Sequence, residues 1–237
     1  TQYLKDLPNI RTYGEEPNST YQIQNYKGKR FSSSFDIMNE DKIIGSFDLA
    51  SPGFHNALNA TVAVAVAVDL GLSMEKIKKG ISQFAGVARR FQYRGEINGV
   101  SFIDDYAHLP TEVQSALEAA KAGKWNRIVA VFQPHRFTRT NDLASTFSDC
   151  FQDADEIIVT GIYSAGEKAI PGVTGKLVAD AVASKAIEKN VRYCEHREDL
   201  IVFLRELLVE GDLCLTLGAG DLTNIVDQLM GALEDGQ

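Results

Sequence analysis

The sequence predicts an α/β protein whose larger, C-terminal part is a doubly wound, mostly parallel sheet, with a different and smaller arrangement ahead of it. Three observations carry this expectation. From Phe91 onward, short apolar runs alternate with helical stretches in strand, loop, helix order, the pattern of parallel strands joined by right-handed crossovers. The strand candidates are near-continuous apolar runs, as strands covered on both faces are. Residues 1–50 instead hold aromatic, Ser, Asn and Gly residues in short alternating runs, a signature of antiparallel strands and turns.

In order, Tyr21 and Ile23 and then Phe31 to Ile37 mark the first strands, with turns expected at Asn25 to Lys29 and Asn39 to Lys42. Ser51-Pro52-Gly53 breaks the pattern, and His55-Asn56-Ala57-Leu58-Asn59-Ala60 opens a helix of small apolar residues running to about Asp69. A second helix, Ser73 to about Phe84, starts with a capping serine and Glu75 in its first turn. Gly86-Val87-Ala88-Arg89-Arg90-Phe91 leads away from it, and a domain boundary is expected here, between residues 1–88 and 89–237. Strands follow near Val100 to Asp104, Arg127 to Gln133, Glu156 to Thr160 and Leu213 to Leu217, with a weaker one at Val191 to Tyr193. Helices are expected over Pro110 to Ala122, Asn141 to Phe151, Gly175 to Lys189, Glu198 to Val209 and Asp221 to Leu233.

A chain of 237 residues with 44% hydrophobic content can bury a sizeable core, and its formal net charge of -8 argues against non-specific binding to nucleic acid or an anionic membrane surface. Cys150, Cys194 and Cys214 have neither metal-site nor disulfide spacing and read as reduced cysteines of a cytoplasmic protein. The longest apolar run, Ala57 to Leu70, is shorter than the ~20 residues of a bilayer span. The opening at Thr1 reads as the interior of a longer chain.

The candidate chemistry sits in the loops at the strands' carboxyl ends, which face the ligand crevice of such a sheet. Asp104, Asp105, Tyr106 and His108 crowd into five positions between a strand and a helix that has Pro110 in its first turn. The alternative is a capping Asp and a solvated His108. His135, Arg136 and Arg139 lie together just ahead of a helix, where two guanidinium groups suit a carboxylate or phosphate. Asn56 and Asn59, one turn apart, could present donor and acceptor together to a purine edge, or Asn56 could simply cap the helix. Arg89-Arg90 could clamp phosphate or be solvated. The Gly161 to Glu167 loop could be a mere connector. Gly218-Ala219-Gly220-Asp221 resembles half of a dinucleotide fingerprint without its third glycine or acidic ribose partner, which ranks a dehydrogenase low.

Phe-His-Asn-Ala-Leu-Asn-Ala at 54–60, Gly-Val-Ala-Arg-Arg-Phe at 86–91, Asp-Asp-Tyr-Ala-His-Leu-Pro-Thr-Glu-Val at 104–113, Gln-Pro-His-Arg-Phe-Thr-Arg-Thr at 133–140 and Leu-Gly-Ala-Gly-Asp at 217–221 together resemble the Mur ligases. The resemblance implies that residues 1–88 are the end of a central ATP-binding domain and 89–237 a Rossmann-like domain that brings the amino acid. It implies an ATP- and Mg2+-dependent ligase of peptidoglycan biosynthesis, joining L-alanine to UDP-N-acetylmuramate through an acyl phosphate. A ligase that attaches a tripeptide, and a non-catalytic nucleotide- or anion-binding module, are the alternatives. No Gly-x-x-x-x-Gly-Lys-Ser/Thr phosphate loop occurs in the sequence, and the magnesium ligands are expected in a preceding part. By resemblance His55, Asn56 and Asn59 attend the adenine, Arg90 the ATP phosphates and Asp105 the ribose. Tyr106, His108, His135, Arg136 and Arg139 orient the amino acid and steady charge, with His108 and Asp105 nearest the chemistry. Leu109 stands where the family usually has a second histidine, which removes one polar group from the loop.

Overall fold

The computed structural model describes residues 10–186 and 189–234, which separate into two compact units, Thr1–Gly86 and Val87–Gln237. In the first unit, strands β1 (Tyr13–Gly14), β2 (Tyr21–Gly28), β3 (Ser33–Asn39) and β4 (Lys42–Leu49) form a sheet in that order, antiparallel from β2 onward. Tyr21, Ile23, Phe35, Ile37, Phe47 and Leu49 alternate onto one face, where helices α1 (Phe54–Asp69) and α2 (Met74–Gln83) cover them. The expected turn at Asn39 to Lys42 is a two-residue hairpin with Glu40 and Asp41 at φ 50° and 61°, the mirror-image turn that matches strand twist. The turn expected at Asn25 is not there. β2 runs through it, and Asn25, at φ 52°, sits in a bulge between Gln24 and Lys27.

The second unit is a six-stranded sheet of order β5-β6-β10-β7-β8-β9, built from β5 (Gln92–Ile97), β6 (Val100–Asp105), β7 (Ile128–Phe132), β8 (Glu156–Thr160), β9 (Asn190–Cys194) and β10 (Leu213–Leu217). All neighbours are parallel except the β5–β6 pair. Helices α3 (Pro110–Lys121) and α5 (Lys176–Lys185), with a 3-10 segment at Ala144–Asp149, cover one face; α6 (Arg197–Leu207) and α7 (Thr223–Glu234) cover the other. Every residue of β6, β7 and β10 is therefore buried, which explains the near-continuous apolar runs of β7 and β10, whereas β6 carries Ser101, Asp104 and Asp105 into the interior. Phe102 and Phe132, fully buried on opposite faces, each contribute about 1.5–3 kcal/mol.

Two boundaries differ from the sequence expectation. The helix expected over 141–151 is α4 (Phe137–Leu143) followed by the 3-10 segment, so a helix begins immediately after Arg136. The helix expected to reach Lys189 ends at Lys185, and residues 187 and 188 of that expectation lie outside the described residues. Sequential strands β6 and β7 are separated by β10, so the strand order switches at the sheet's centre while the strands stay parallel, and the loops after β6, β7, β8 and β10 lie along its carboxyl edge. Among the described residues no helix is long and apolar enough to cross a membrane.

Candidate functional site

In the first unit the residues of interest open α1. The helix starts two residues ahead of the asparagine that could have capped it, with Gly53 as its N-cap at φ 93°. Asn56 instead donates both amide hydrogens inward, to Ser51 Oγ at 2.9 Å and the Pro52 carbonyl at 2.7 Å, which pins the preceding loop. Only its Oδ1 remains to meet a ligand, so it can accept but not donate, contrary to the two-way pairing its amide suggested. Asn59 is exposed and His55 half-buried.

In the second unit β6 ends at two buried carboxylates with different partners. Asp104 accepts from Thr216 Oγ1 at 2.8 Å and from Arg89 Nε at 3.3 Å. Arg89 also donates through Nη2 to the carbonyls of Gly218 and Gly220, at 2.7 and 3.1 Å, so the first arginine of the pair is spent inside the protein. Arg90 is the exposed one. Asp105 accepts from the backbone N–H of Phe91 and of Ala107, both at 2.7 Å. Burial pushes its carboxyl up to about 6, against the pull of those two N–H groups and of Arg90.

Beyond Asp105 the rings of Tyr106, His108, His135 and Tyr163 form a row across the ends of β6, β7 and β8. Successive centroids lie 5.4, 5.7 and 5.6 Å apart. The hydrogen-bond partners assign a proton to each imidazole. His108 Nδ1 lies 3.0 Å from the Tyr106 carbonyl, which can only accept, so Nδ1 carries the hydrogen and Nε2 the lone pair. His135 Nδ1 lies 3.2 Å from Arg139 Nη1, which can only donate, so Nδ1 accepts and Nε2 carries the hydrogen. Partial burial, with the charges of Arg139 and Arg136 nearby, holds His135 below the usual histidine range, in keeping with an Nδ1 that accepts. One neighbour can therefore take a proton where the other can donate a hydrogen bond.

The anion-suited loop is held by a segment that the sequence offered as a mere connector. Tyr163 bridges to His135 as a short parallel ladder: Arg136 N donates to the Tyr163 carbonyl at 2.8 Å, and Tyr163 N donates to the Pro134 carbonyl at 2.9 Å. Glu167 accepts from Thr138 N at 3.0 Å and Thr138 Oγ1 at 2.7 Å, satisfying an orphan N–H in the first turn of α4. Arg136, exposed, and Arg139, half-buried, project from that turn. Neither Tyr163 nor Glu167 carries a local sequence signal, because their partners lie 28 and 29 residues away.

Asp221, which the sequence places at the start of the last helix, turns its side chain to other partners. Its carboxylate pairs with Gln133 Nε2 at 2.9 Å and Arg197 Nη2 at 2.7 Å. The glycine loop beside it is small for an internal reason. A Cβ on Gly220 would lie 2.4 Å from Gln133 Oε1 and 2.5 Å from Tyr163 Cγ, so side chains occupy the approach that a dinucleotide pyrophosphate would need. Among the described residues there is no cluster of three or more His, Cys, Asp or Glu that could hold a metal ion.

The chain is similar to known proteins over most of its length. Residues 89–220 match the family model described as Mur ligase, glutamate ligase domain. The chain is 40% identical to the UDP-N-acetylmuramate–L-alanine ligase of Myxococcus xanthus over 231 residues, covering 96% of this chain and 49% of that protein. It is 41% identical to the ligase of the same name from Syntrophomonas wolfei, covering 98% and 50%. The crystal structure of UDP-N-acetylmuramate–alanine ligase from Thermotoga maritima superimposes with a TM-score of 0.80 at 27% identity, over all of this chain and 50% of that one. The chain spans about half the length of the curated relatives it matches. With more than half of its residues inside the family model, the chain belongs to the Mur ligase family.

Proposed function

We propose that this chain is the nucleotide-closing and amino-acid-binding half of an ATP-dependent ligase that joins L-alanine to UDP-N-acetylmuramate. The reading carries over the activity for which relatives at about 40% identity are named, and it rests within the chain on one observation: His108 and His135, neighbours 5.7 Å apart, hold their protons on opposite nitrogens beside Arg136 and Arg139. Arginine forks suit the carboxylate of an amino acid. A proton acceptor and a neutral donor side by side suit attack of its amine on an activated acyl group, where one proton must leave nitrogen and charge grows on oxygen.

In this reading residues 1–88 close a central ATP-binding domain and residues 89–237 carry the acceptor. Asn56 Oδ1 accepts from the adenine amino group, with Asn59 and His55 beside it, and Asp105 accepts from ribose. Arg90 meets the phosphates. Tyr106, stacked under the guanidinium groups of Arg89 and Arg90 at 4.9 and 5.6 Å, forms the wall between phosphate and amine. ATP phosphorylates the muramoyl carboxylate, and Mg2+ supplies charge neutralisation from residues outside this chain. A reaction fed by ATP and a UDP-sugar belongs in the cytoplasm.

The test is phosphate release by the intact protein given ATP, Mg2+ and UDP-N-acetylmuramate, with L-alanine, glycine, L-serine and a stem tripeptide as alternative acceptors. Release dependent on L-alanine is expected. Release with tripeptide alone would transfer the reading to the peptide-adding ligase, and none from folded intact protein would leave a binding module.

A further inference from the structure

Glu112 stands where the two halves of the proposed chemistry meet. It lies in the first turn of α3, and its Oε2 accepts from the backbone N–H of His108 at 2.9 Å and of Leu109 at 3.2 Å. The same oxygen lies 3.2 Å from His108 Nδ1, and Oε1 lies 3.7 Å from Arg90 Nη1. The backbone cap alone accounts for a glutamate here. It does not account for a carboxylate held against the one ring nitrogen of His108 that bears hydrogen, while the other bears a lone pair. The groups facing that imidazole are Glu112 from α3, Tyr106 from its own loop and His135 from the loop after β7; His135 is neutral, so Glu112 is the charge set against it.

Building on the ligase reading above, we propose that His108 Nε2 is the atom that takes the proton from the attacking amine, and that Glu112 is the positioning residue that supports the imidazolium so formed. The Tyr106 carbonyl fixes the tautomer, and the Glu112 carboxylate supplies the charge. The acceptor arrives as an ammonium ion and loses one proton to water. Its nitrogen lone pair forms the bond to the acyl carbon while the carbonyl π pair moves onto oxygen. The tetrahedral nitrogen passes its extra proton to His108 Nε2. Oxygen then re-forms the carbonyl, and the carbon–oxygen bond to phosphate breaks with its electron pair, releasing phosphate. His108 returns its proton to phosphate or water. Leu109, whose side chain has no polar atom, takes no part in this path.

Two measurements on the intact protein decide it. The first is the 15N spectrum of histidine-labelled enzyme, in which neutral His108 is expected to show Nδ1 protonated and Nε2 bare; the reverse assignment overturns the proposal whether or not turnover is seen. The second is E112Q, whose amide oxygen still accepts from the two backbone N–H groups, so that the cap is kept and only the charge is lost. Its kcat is expected to fall about 10- to 100-fold, with KM for L-alanine changed by less than about threefold. In an H108Q background the same change is expected to cost nothing more. Wild-type kcat in E112Q, or a loss confined to KM for ATP through Arg90, overturns the role of Glu112 while leaving the ligase reading intact. Absence of turnover from the unmodified protein overturns the ligase reading instead.

Discussion

Arg136 holds φ 71° and ψ 139°, a conformation open to glycine and strained for any residue with a Cβ. Its N–H bond to the Tyr163 carbonyl and the start of α4 immediately after it over-determine that backbone. Strain of ~1–3 kcal/mol kept at an exposed arginine is a cost that packing does not require. Arg136→Gly is therefore expected to stabilise the protein by about 1 kcal/mol, a Tm rise of about 2–4 °C. The same change is expected to raise KM for the amino acid about 10- to 100-fold, as lost charge-assisted bonds do. Calorimetry and steady-state kinetics on one variant read both. Asp105 gives a pH dependence whose sign is fixed by its raised carboxyl. A group that binds its proton more tightly folded than unfolded stabilises most below its unfolded value of 3.8 and loses that contribution as pH rises through about 6. Asp105→Asn removes this dependence, so the stability of wild type relative to the variant is expected to grow as pH falls from 7 to 4. Urea denaturation at four pH values measures it, and a constant difference would contradict it. At this scale the sequence made the residue types legible, with histidines, arginines and carboxylates grouped at strand ends. Which carboxylate oxygens and which imidazole nitrogens were already engaged was not, because many of those partners are backbone groups or side chains from distant strands brought together by the fold.

The loop after β8 sets the geometry of the loop after β7, and this is the level at which sequence reading was weakest. Gly161 to Glu167 reads as a flexible turn, and α4 reads as starting at Asn141, because nothing local marks a helix whose first turn is satisfied by a glutamate 29 residues away. Glu167→Ala frees Thr138 N and its hydroxyl and loosens the turn that carries Arg136 and Arg139. KM for the amino acid is expected to rise about tenfold while KM for ATP holds, since a misplacement near 1 Å is enough to cost that much. A rise in both constants together would show general loosening instead. The glycine loop after β10 makes the complementary case. Gly220→Ala would drive a methyl group into Gln133 and Tyr163, and the overpacking is expected to cost about 1–3 kcal/mol in denaturant unfolding. A dinucleotide loop would predict loss of cofactor binding with little change in stability.

The fold class was legible at the scale of the whole chain because burial on both faces writes itself as near-continuous apolar strands, and β7 and β10 carry that mark. β5 does not. It is an edge strand whose Arg94, Glu96 and Gly95 break the apolar pattern, and its antiparallel pairing with β6 follows from the tight Asn98-Gly99 turn. The two units differ in how completely each encloses its own apolar surface. In the second unit both faces of the sheet are covered by that unit's own helices. On α1, by contrast, Val62 and Val66 are 36% and 55% exposed. The connecting backbone is accessible, with Phe84 and Val87 both exposed. A fragment of residues 87–237 is therefore expected to unfold in one cooperative transition with coincident near- and far-ultraviolet dichroism, as a single domain of its size does. The fragment of residues 1–86 is expected to bind a hydrophobic dye through its uncovered helix face. Non-coincident transitions in the larger fragment would mean that its sheet borrows stability from outside its own two helical layers, and that the loops along its carboxyl edge are held by more than the sheet beneath them.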